Sequence, residues 1–383
     1  MMVKQFSNNC TGSCHRRFEM EETNYFLARL LHLDIPLLIG LCLLAGVGLV
    51  VLYSAGGQDS DLVVRQLLRL TLGFAAMGLF AQIPPQHLDR AAPWLYAAGI
   101  VLLVGVLLKG DIGKGARRWL DLGMVRFQPS EIMKVAMPMT IAWLLANNTL
   151  PPRFWRLMLA AVMILLPVAL IAKQPDLGTA LLVASAGAFT LFLGGISWWL
   201  MGILAASLVA LAPVAWHFLH DYQRARVMMF LNPESDPLGA GYHIIQSKIA
   251  LGSGGIYGKG WINGTQAHLD FIPERSTDFI FAVFGEEFGL MGAVLLLTLY
   301  LFVIARGLYI AAQAQGTFAR LLAGSITLTF FVYIFVNLGM VSGLLPVVGI
   351  PLPLISYGGT SLVTLMAAFG ILMSIATHRR SME

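Results

Sequence analysis

Ten apolar runs without periodic polar breaks divide the chain: 35–53, 62–83, 92–108, 131–146, 157–172, 178–195, 198–219, 278–305, 321–345 and 359–376. A helix needs roughly 20 residues to cross about 30 Å of hydrocarbon, so the pattern predicts an all-α polytopic membrane protein with ten transmembrane helices. An even number of crossings places both termini on one side. No small-residue cleavage site follows the first run at the usual distance, so that run reads as a retained anchor. The expected division is an N-terminal tail (1–34), spans one to seven (35–219), a large loop (220–277), spans eight to ten (278–377) and a C-terminal tail (378–383).

Two stretches depart from the pattern. The loop 220–277 is too long for a connector and should carry structure of its own. Within it, Tyr242, Ile245 and Ile249 share one helical face and His243, Gln246 and Ser247 the other, until Gly252-Ser253-Gly254-Gly255 stops the helix. This predicts a short amphipathic helix at the membrane surface, before the eighth span. The stretch from Pro346 to Gly359 is apolar enough for the membrane, yet Pro346, Pro351, Pro353, Gly349, Gly358 and Gly359 prevent a regular helix. Such backbone is tolerated at depth where protein or a water-filled cavity satisfies it, so the segment is expected to line a cavity.

Composition agrees with the pattern: 57% of the 383 residues are hydrophobic and 12% charged, against about 25% charged in a soluble domain. A net charge of +5 is too small for a nucleic-acid binder of this length. The three cysteines, Cys10, Cys14 and Cys42, make no disulfide framework, and Cys10-x3-Cys14-His15 lacks a fourth ligand for zinc. With these boundaries eleven cations fall on each side of the membrane, and Arg65, Arg69 and Lys134 lie in spans. The raw tally does not orient the chain. Arg29 before the first span, Asp59 and Asp61 after it, and Arg379-Arg380 after the last favour cytoplasmic termini. The outer cations then gather in loops 109–130 and 220–277, as an anionic ligand would require.

Ionisable groups near or within spans are functional candidates, because each costs several kcal/mol unless paired or neutralised. Glu131 and Lys134 share a helix face and can pair, with a purely structural ion pair as the plain alternative. Asp176 is either a functional acid or a helix cap. Ser276 or Thr277 is expected to cap the eighth span and leave Asp278 in its first turn, ionised by the dipole. Glu286 and Glu287 would lie about 12 Å deeper by helical rise and face the interior. No phosphate-binding glycine loop, H-E-x-x-H or G-x-S-x-G occurs, which argues against ATPase, metalloprotease and serine-hydrolase chemistry.

Five motifs in order carry a resemblance over nearly the whole chain: Gly115-Ala-Arg117-Arg118-Trp119-Leu-Asp121-Leu-Gly123; Phe127-Gln128-Pro129-Ser130-Glu131; Gln174-Pro175-Asp176-Leu177-Gly178-Thr179; Thr277-Asp278-Phe279-Ile280-Phe281 with Glu286-Glu287; and Gly349-Ile-Pro351-Leu-Pro353 through Ser356-Tyr357-Gly358-Gly359. Together they resemble the SEDS family (shape, elongation, division and sporulation). The stretch Asn232 to His243, followed by Gly252-Ser253-Gly254-Gly255, is similar to the rod-shape branch rather than the division branch. The resemblance implies a peptidoglycan glycosyltransferase that polymerises lipid II for cell elongation, in a bacterial inner membrane with cytoplasmic termini and a large outer loop. It also implies a class B penicillin-binding transpeptidase and other elongation-complex membrane proteins as partners. Relatives begin shortly before the first span, so Met20 is the expected start and residues 1–19 an addition.

The implied reaction is attack by a sugar 4-hydroxyl on the anomeric carbon of a lipid-linked disaccharide, with inversion and departure of a lipid diphosphate. One carboxylate must act as base, and fixed cations can stabilise the leaving group. Asp278 is the candidate base. Arg117, Arg118, Lys134, Lys173 and Arg275, or a divalent cation such as Mg or Mn, are the candidates for the diphosphate. Trp119, Gln128, Glu131, Gln174, Asp176 and Lys248 complete the candidate substrate-binding set, with Trp119 either stacking on sugar or anchoring its loop. The competing reading is a flippase or transporter of a lipid-linked cell-wall precursor, for which discontinuous helices and charges at depth also speak. Against it, the acids gather at span ends rather than at the midplane.

Overall fold

The computed structural model describes residues 32–378 except 114–115, 122–125, 149, 198, 200–201, 204–205, 208–209, 211–223, 225–227, 229–239, 270 and 273; for 109, 111–113, 116–118, 120–121, 126–127, 240 and 267–268 it describes the backbone alone. Cys10, Cys14, Met20, most of both tails and most of the seventh predicted run lie outside the described residues.

Nine of the ten predicted runs are helices. They are α1 (Ile35–Ala55), α2 (Ser60–Ala81), α3 (Pro85–Lys109), α4 (Pro129–Ala146), α5 (Phe154–Lys173), α6 (Leu177–Leu193), α9 (Ile280–Gln313), α10 (Thr317–Val341) and α11 (Thr360–Thr377). Among the described residues seven are long and apolar enough to cross a membrane, namely α1, α2, α3, α5, α9, α10 and α11. The 17-residue α6 is apolar but shorter, and α4 carries Glu131 and Lys134 at its head. The chain is a polytopic membrane protein. Helix starts follow local chemistry: the side chains of Asp34, Asp59 and Asp176 cap α1, α2 and α6, and Pro129 opens α4, where its missing N–H costs nothing. Buried α10 forms the centre of the bundle against α4, α6 and α9, while α11 packs along α2. The outer helices turn Leu68, Leu72, Trp155 and Leu165 outward, as lipid-facing helices do.

The loop between α3 and α4 is not irregular. It holds a small antiparallel sheet of β1 (Asp111–Gly113), β2 (Ala116–Asp121) and β3 (Arg126–Phe127), in that order. Its register sets Asp111 opposite Trp119 and Leu120 opposite Phe127.

Helix α7 (Ala240–Ser253) forms and ends where the sequence predicts, but it buries a different face. Ile244, Ser247 and Ala250 are packed inward and Ile249 is exposed. Ser247 Oγ donates to the Val341 carbonyl at 2.8 Å, so a small hydroxyl ties α7 to the end of α10 where a large apolar residue would hold it off. The short α8 (Thr265–His268) follows.

Glu286 and Glu287 face the interior as expected, just ahead of a break in the helix. Helix α9 breaks at Gly289 (φ 63°, ψ −161°). Residues Ile280–Glu287 are buried on all sides, whereas Leu290, Met291, Val294 and Leu295 beyond the break are exposed apolar side chains. From Leu290 to Gln313 the helix is about 36 Å long, enough to cross alone. The segment 254–260 docks into the break: Leu290 and Met291 donate their N–H groups to the Gly255 and Ile256 carbonyls, and Lys259 and Gly260 donate to Glu286 and Glu287, all at 3.0 Å. Glu286 accepts from Lys259 Nζ (2.7 Å), Thr265 Oγ1 (3.0 Å) and the Gln266 N–H (3.1 Å). Glu287 accepts from Ser54 Oγ at the end of α1. The Glu286 carboxylate thus holds the loop, and that of Glu287 ties α9 to α1, so both acids are paired as interior groups should be.

Candidate functional site

A cavity of 320 Å³ opens at the end of the bundle that carries the sheet. Trp119, Gln128, Glu131, Glu274, Asp278 and Tyr357 line it, with Pro351 and residues 358–361. A second cavity of 170 Å³ shares Trp119, Gln128, Glu131, Pro351 and Ser361 with the first and adds Lys134, Asp176 and Tyr333. The two therefore form one recess in which six of the candidate residues meet: Trp119, Gln128, Glu131, Lys134, Asp176 and Asp278.

Local structure explains how each arrives there. Gln128 immediately precedes α4, and Glu131 and Lys134 lie in its first two turns. The pair that their spacing predicts is formed, Lys134 Nζ lying 2.7 Å from Glu131 Oε1 with side chains 8% and 4% exposed. Lys134 also lies 5.5 Å from the centre of the Tyr333 ring. Glu131 Oε2 has no hydrogen-bond partner among the described residues, although it is buried. In a recess this leaves an acceptor for a ligand hydroxyl. Asp176 is the helix cap, and its carboxylate also meets Gln128 at the recess. Its carboxylate caps α6, accepting from Thr179 N–H at 3.3 Å and Thr179 Oγ1 at 2.9 Å, and also accepts from Gln128 Nε2 at 2.8 Å.

Asp278 is not in the first turn of a helix. The chain turns from Glu274 to Phe279, and α9 begins at Ile280 without a side-chain cap. Thr277 Oγ1 donates instead to the Glu274 carbonyl and carboxylate, at 3.1 and 2.8 Å. What positions Asp278 is the non-helical segment 346–359, which lines the recess as its prolines and glycines predict. Tyr357 N–H donates to the Ser276 carbonyl (2.8 Å) and Ser356 Oγ to the Thr277 carbonyl (2.6 Å). Asn337 Nδ2 on α10 donates to the carbonyls of both Asp278 (2.9 Å) and Ile350 (2.7 Å). Gly349, at φ +77°, comes close to the Asp278 carboxylate. A residue with a Cβ would be strained there by the positive φ.

The segment's own backbone is satisfied from neighbouring helices, as buried irregular backbone requires. Tyr300 OH donates to the Pro353 carbonyl at 2.6 Å, and Gln66 accepts from Gly358 N–H (3.4 Å) while donating to the Ser356 carbonyl (3.3 Å). Tyr300, Gln66 and Asn337 carry no charge at neutral pH and so are not among the candidates that charge at depth singles out. Their signal is that each is a hydrogen-bonding side chain inside a predicted span. Across the turn, His243 of α7 stacks on Phe279 with ring centres 5.7 Å apart. Burial lowers its pKa below the ordinary imidazole value, against the opposing pull of Glu274.

The other candidates lie elsewhere. Arg117 and Arg118 sit on β2 at the rim through their backbone, and their side chains are outside the described set. Gln174 is buried and donates to the Leu103 carbonyl at 3.1 Å. Lys173, at the end of α5, is exposed. Lys248 is exposed on α7, its stem lying over Gly343 beyond the end of α10. Half-buried Arg275 approaches Gly57 rather than the recess wall. Among the described residues no three His, Cys, Asp or Glu side chains converge as metal ligands.

Residues 30–381 match the family described as "Cell cycle protein" (FTSW_RODA_SPOVE). The chain is 56% identical over 353 residues to the peptidoglycan glycosyltransferase MrdB of Escherichia coli K12, covering 92% of this chain and 95% of the relative. It is 31% identical to the peptidoglycan glycosyltransferase RodA of Treponema pallidum, over 89% of this chain and 97% of the relative. Among solved structures, the rod shape determining protein RodA of Thermus thermophilus is similar at a TM-score of 0.70 and 30% identity, covering 91% of this chain and 98% of that one. A chain of a peptidoglycan synthase complex, described for its coordination of polymerization and crosslinking, is similar at 0.78 and 34%, covering 90% and 97%.

Proposed function

Because this chain belongs to the SEDS family, in the branch that holds RodA and MrdB, we propose that it is a peptidoglycan glycosyltransferase that polymerises lipid II, with Asp278 as general base. One observation carries the assignment of the site: Asp278 shares a single recess with a buried Glu131–Lys134 pair, the Asp176–Gln128 pair and Trp119. A lipid-linked disaccharide brings hydroxyls, sugar faces and a diphosphate to such a lining, and each has a matching group.

In the reaction the 4-hydroxyl of the acceptor sugar attacks the anomeric carbon of the donor. The new C–O bond forms as the bond to the lipid diphosphate breaks. Asp278 takes the hydroxyl proton, and its fixed backbone clasp holds the carboxylate in place without reorganisation. Negative charge gathers on the departing diphosphate, and cations positioned for it stabilise the transition state more than the ground state. Lys134 lines the recess, and Arg117, Arg118 and Arg275 are the further candidates. Glu131 Oε2 and Gln128 offer hydrogen bonds to sugar hydroxyls or the peptide stem, and Trp119 a stacking face.

The same reading sets the recess outside the cytoplasm, both termini inside, and the protein in the bacterial inner membrane as the polymerase of an elongation complex. Its partner is a class B penicillin-binding transpeptidase. The purified protein in detergent is expected to convert lipid II into glycan strands longer than one disaccharide. Movement of lipid II across vesicles without any strand formation would support the flippase reading instead.

A further inference from the structure

We propose that Arg69 of α2 binds the diphosphate of the lipid-linked substrate as it enters the recess from the membrane. This rests on the reading of lipid II as substrate.

Three of the four basic residues on α2, α4 and α9 have a carboxylate partner. Lys134 lies 2.7 Å from Glu131, Arg306 lies 2.7 Å from Asp34, and exposed Arg65 lies 3.7 Å from Asp59. Arg69 has none among the described residues. Its guanidinium lies 4.1 Å from the centre of the Tyr357 ring, and Nη1 donates to the Gly358 carbonyl at 3.4 Å. Neither contact neutralises a full charge in a membrane-spanning helix, where an uncompensated cation is costly. An anion from outside the chain would remove that cost.

The position fits one source of anion. Arg69 is nine residues into α2, about 13 Å along its axis. It sits half-buried between Gln66, which faces the non-helical segment, and Leu68 and Leu72, which are 61% and 63% exposed on the lipid face. Tyr357 and Gly358, its two contacts, are themselves walls of the 320 Å³ cavity. Arg69 therefore stands at the border between lipid and recess. A guanidinium has five N–H donors in a planar fork suited to bidentate phosphate contact, and one of them is used by Gly358. A substrate whose tail stays in the bilayer while its sugars enter the recess carries its diphosphate across this border. A bulk phospholipid offers the same phosphate chemistry but has no reason to favour the cavity side.

The test uses the full-length protein in detergent, with Arg69→Gln and Arg69→Lys. Arg69→Gln is expected to raise the KM for lipid II about tenfold, the loss of one charge-assisted contact, with kcat within about threefold. Arg69→Lys should recover part of the KM, since it keeps the charge and loses the fork. By native mass spectrometry, undecaprenyl diphosphate binding should weaken in parallel while phosphatidylglycerol binding is unchanged. An unchanged KM, a loss confined to phosphatidylglycerol, or a fall in kcat and unfolding midpoint in both variants at constant KM would each overturn the proposal. Wild-type protein inactive on lipid II would defeat the substrate reading itself, and the undecaprenyl diphosphate measurement would then decide Arg69 alone.

Discussion

Lys134 lies one turn along α4 from Glu131, its ammonium 2.7 Å from Oε1, and both side chains are more than nine-tenths buried. Removing one partner strands the other charge in the interior, a loss of about 3–5 kcal/mol. Lys134→Ala is therefore expected to lower the unfolding midpoint in detergent strongly. The double variant Glu131→Leu/Lys134→Met should regain most of that midpoint and none of the activity, because apolar groups repack the site without replacing its charges. A double variant that polymerises normally would make the pair purely structural.

Asn337 donates to both the Asp278 and the Ile350 carbonyls. Asn337→Ala removes both hydrogen bonds, including the one to the buried Ile350 carbonyl, a loss of about 1–3 kcal/mol. Polymerisation should fall through kcat, because the substrate contacts of the recess remain while the base is displaced. Asn337→Asp should be worse, since a carboxylate cannot donate and repels both carbonyls. Equal kinetics for wild type and Asn337→Ala would remove the clasp from the account.

Gly289 holds a backbone conformation open only to glycine, with φ 63° and ψ −161°. A Cβ would also meet Gly258 N and the Ile256 carbonyl. Gly289→Ala should undock 254–264 and open the Lys259 peptide to trypsin. Gly78→Ala, where a Cβ meets nothing within 4 Å on a helix face, should leave cleavage unchanged and serves as the control.

Burial lowers the His243 pKa where the ring stacks on Phe279. A histidine whose folded pKa lies below its unfolded value near 6.5 contributes no penalty while neutral. As pH falls through 6.5 the unfolded chain binds the proton first, so stability declines until the pH passes below the folded value. The unfolding midpoint should therefore drop between pH 7.5 and 5.5 by more in wild type than in His243→Gln. An identical drop in both would locate the pH dependence elsewhere.

Much of this architecture is legible in the sequence, and the unread parts share a cause. Long apolar runs announce helices because membrane backbone must satisfy itself locally. The i,i+3 spacing of Glu131 and Lys134 is a local rule, and so is the cap at Asp176. The break at Gly289 is not local: the run reads as one helix until 254–260 supplies carbonyls for Leu290 and Met291. The turn that holds Asp278 is likewise fixed from afar, by Asn337, Ser356 and Tyr357. The sheet at 111–127 is made of strands of three, six and two residues, too short for a period to show. On α7 the buried face follows from Ser247 meeting the Val341 carbonyl, which hydrophobicity alone does not rank.

The most direct test of the account is the rate at which Asp278→Asn polymerises lipid II. The substitution keeps the volume and the backbone clasp and removes only the basic carboxylate. A general base contributes about 10²–10⁴ in rate, so turnover should fall at least a hundredfold while lipid II binding and the unfolding midpoint stay close to wild type. Turnover within a few-fold of wild type in a correctly folded Asp278→Asn protein would contradict it.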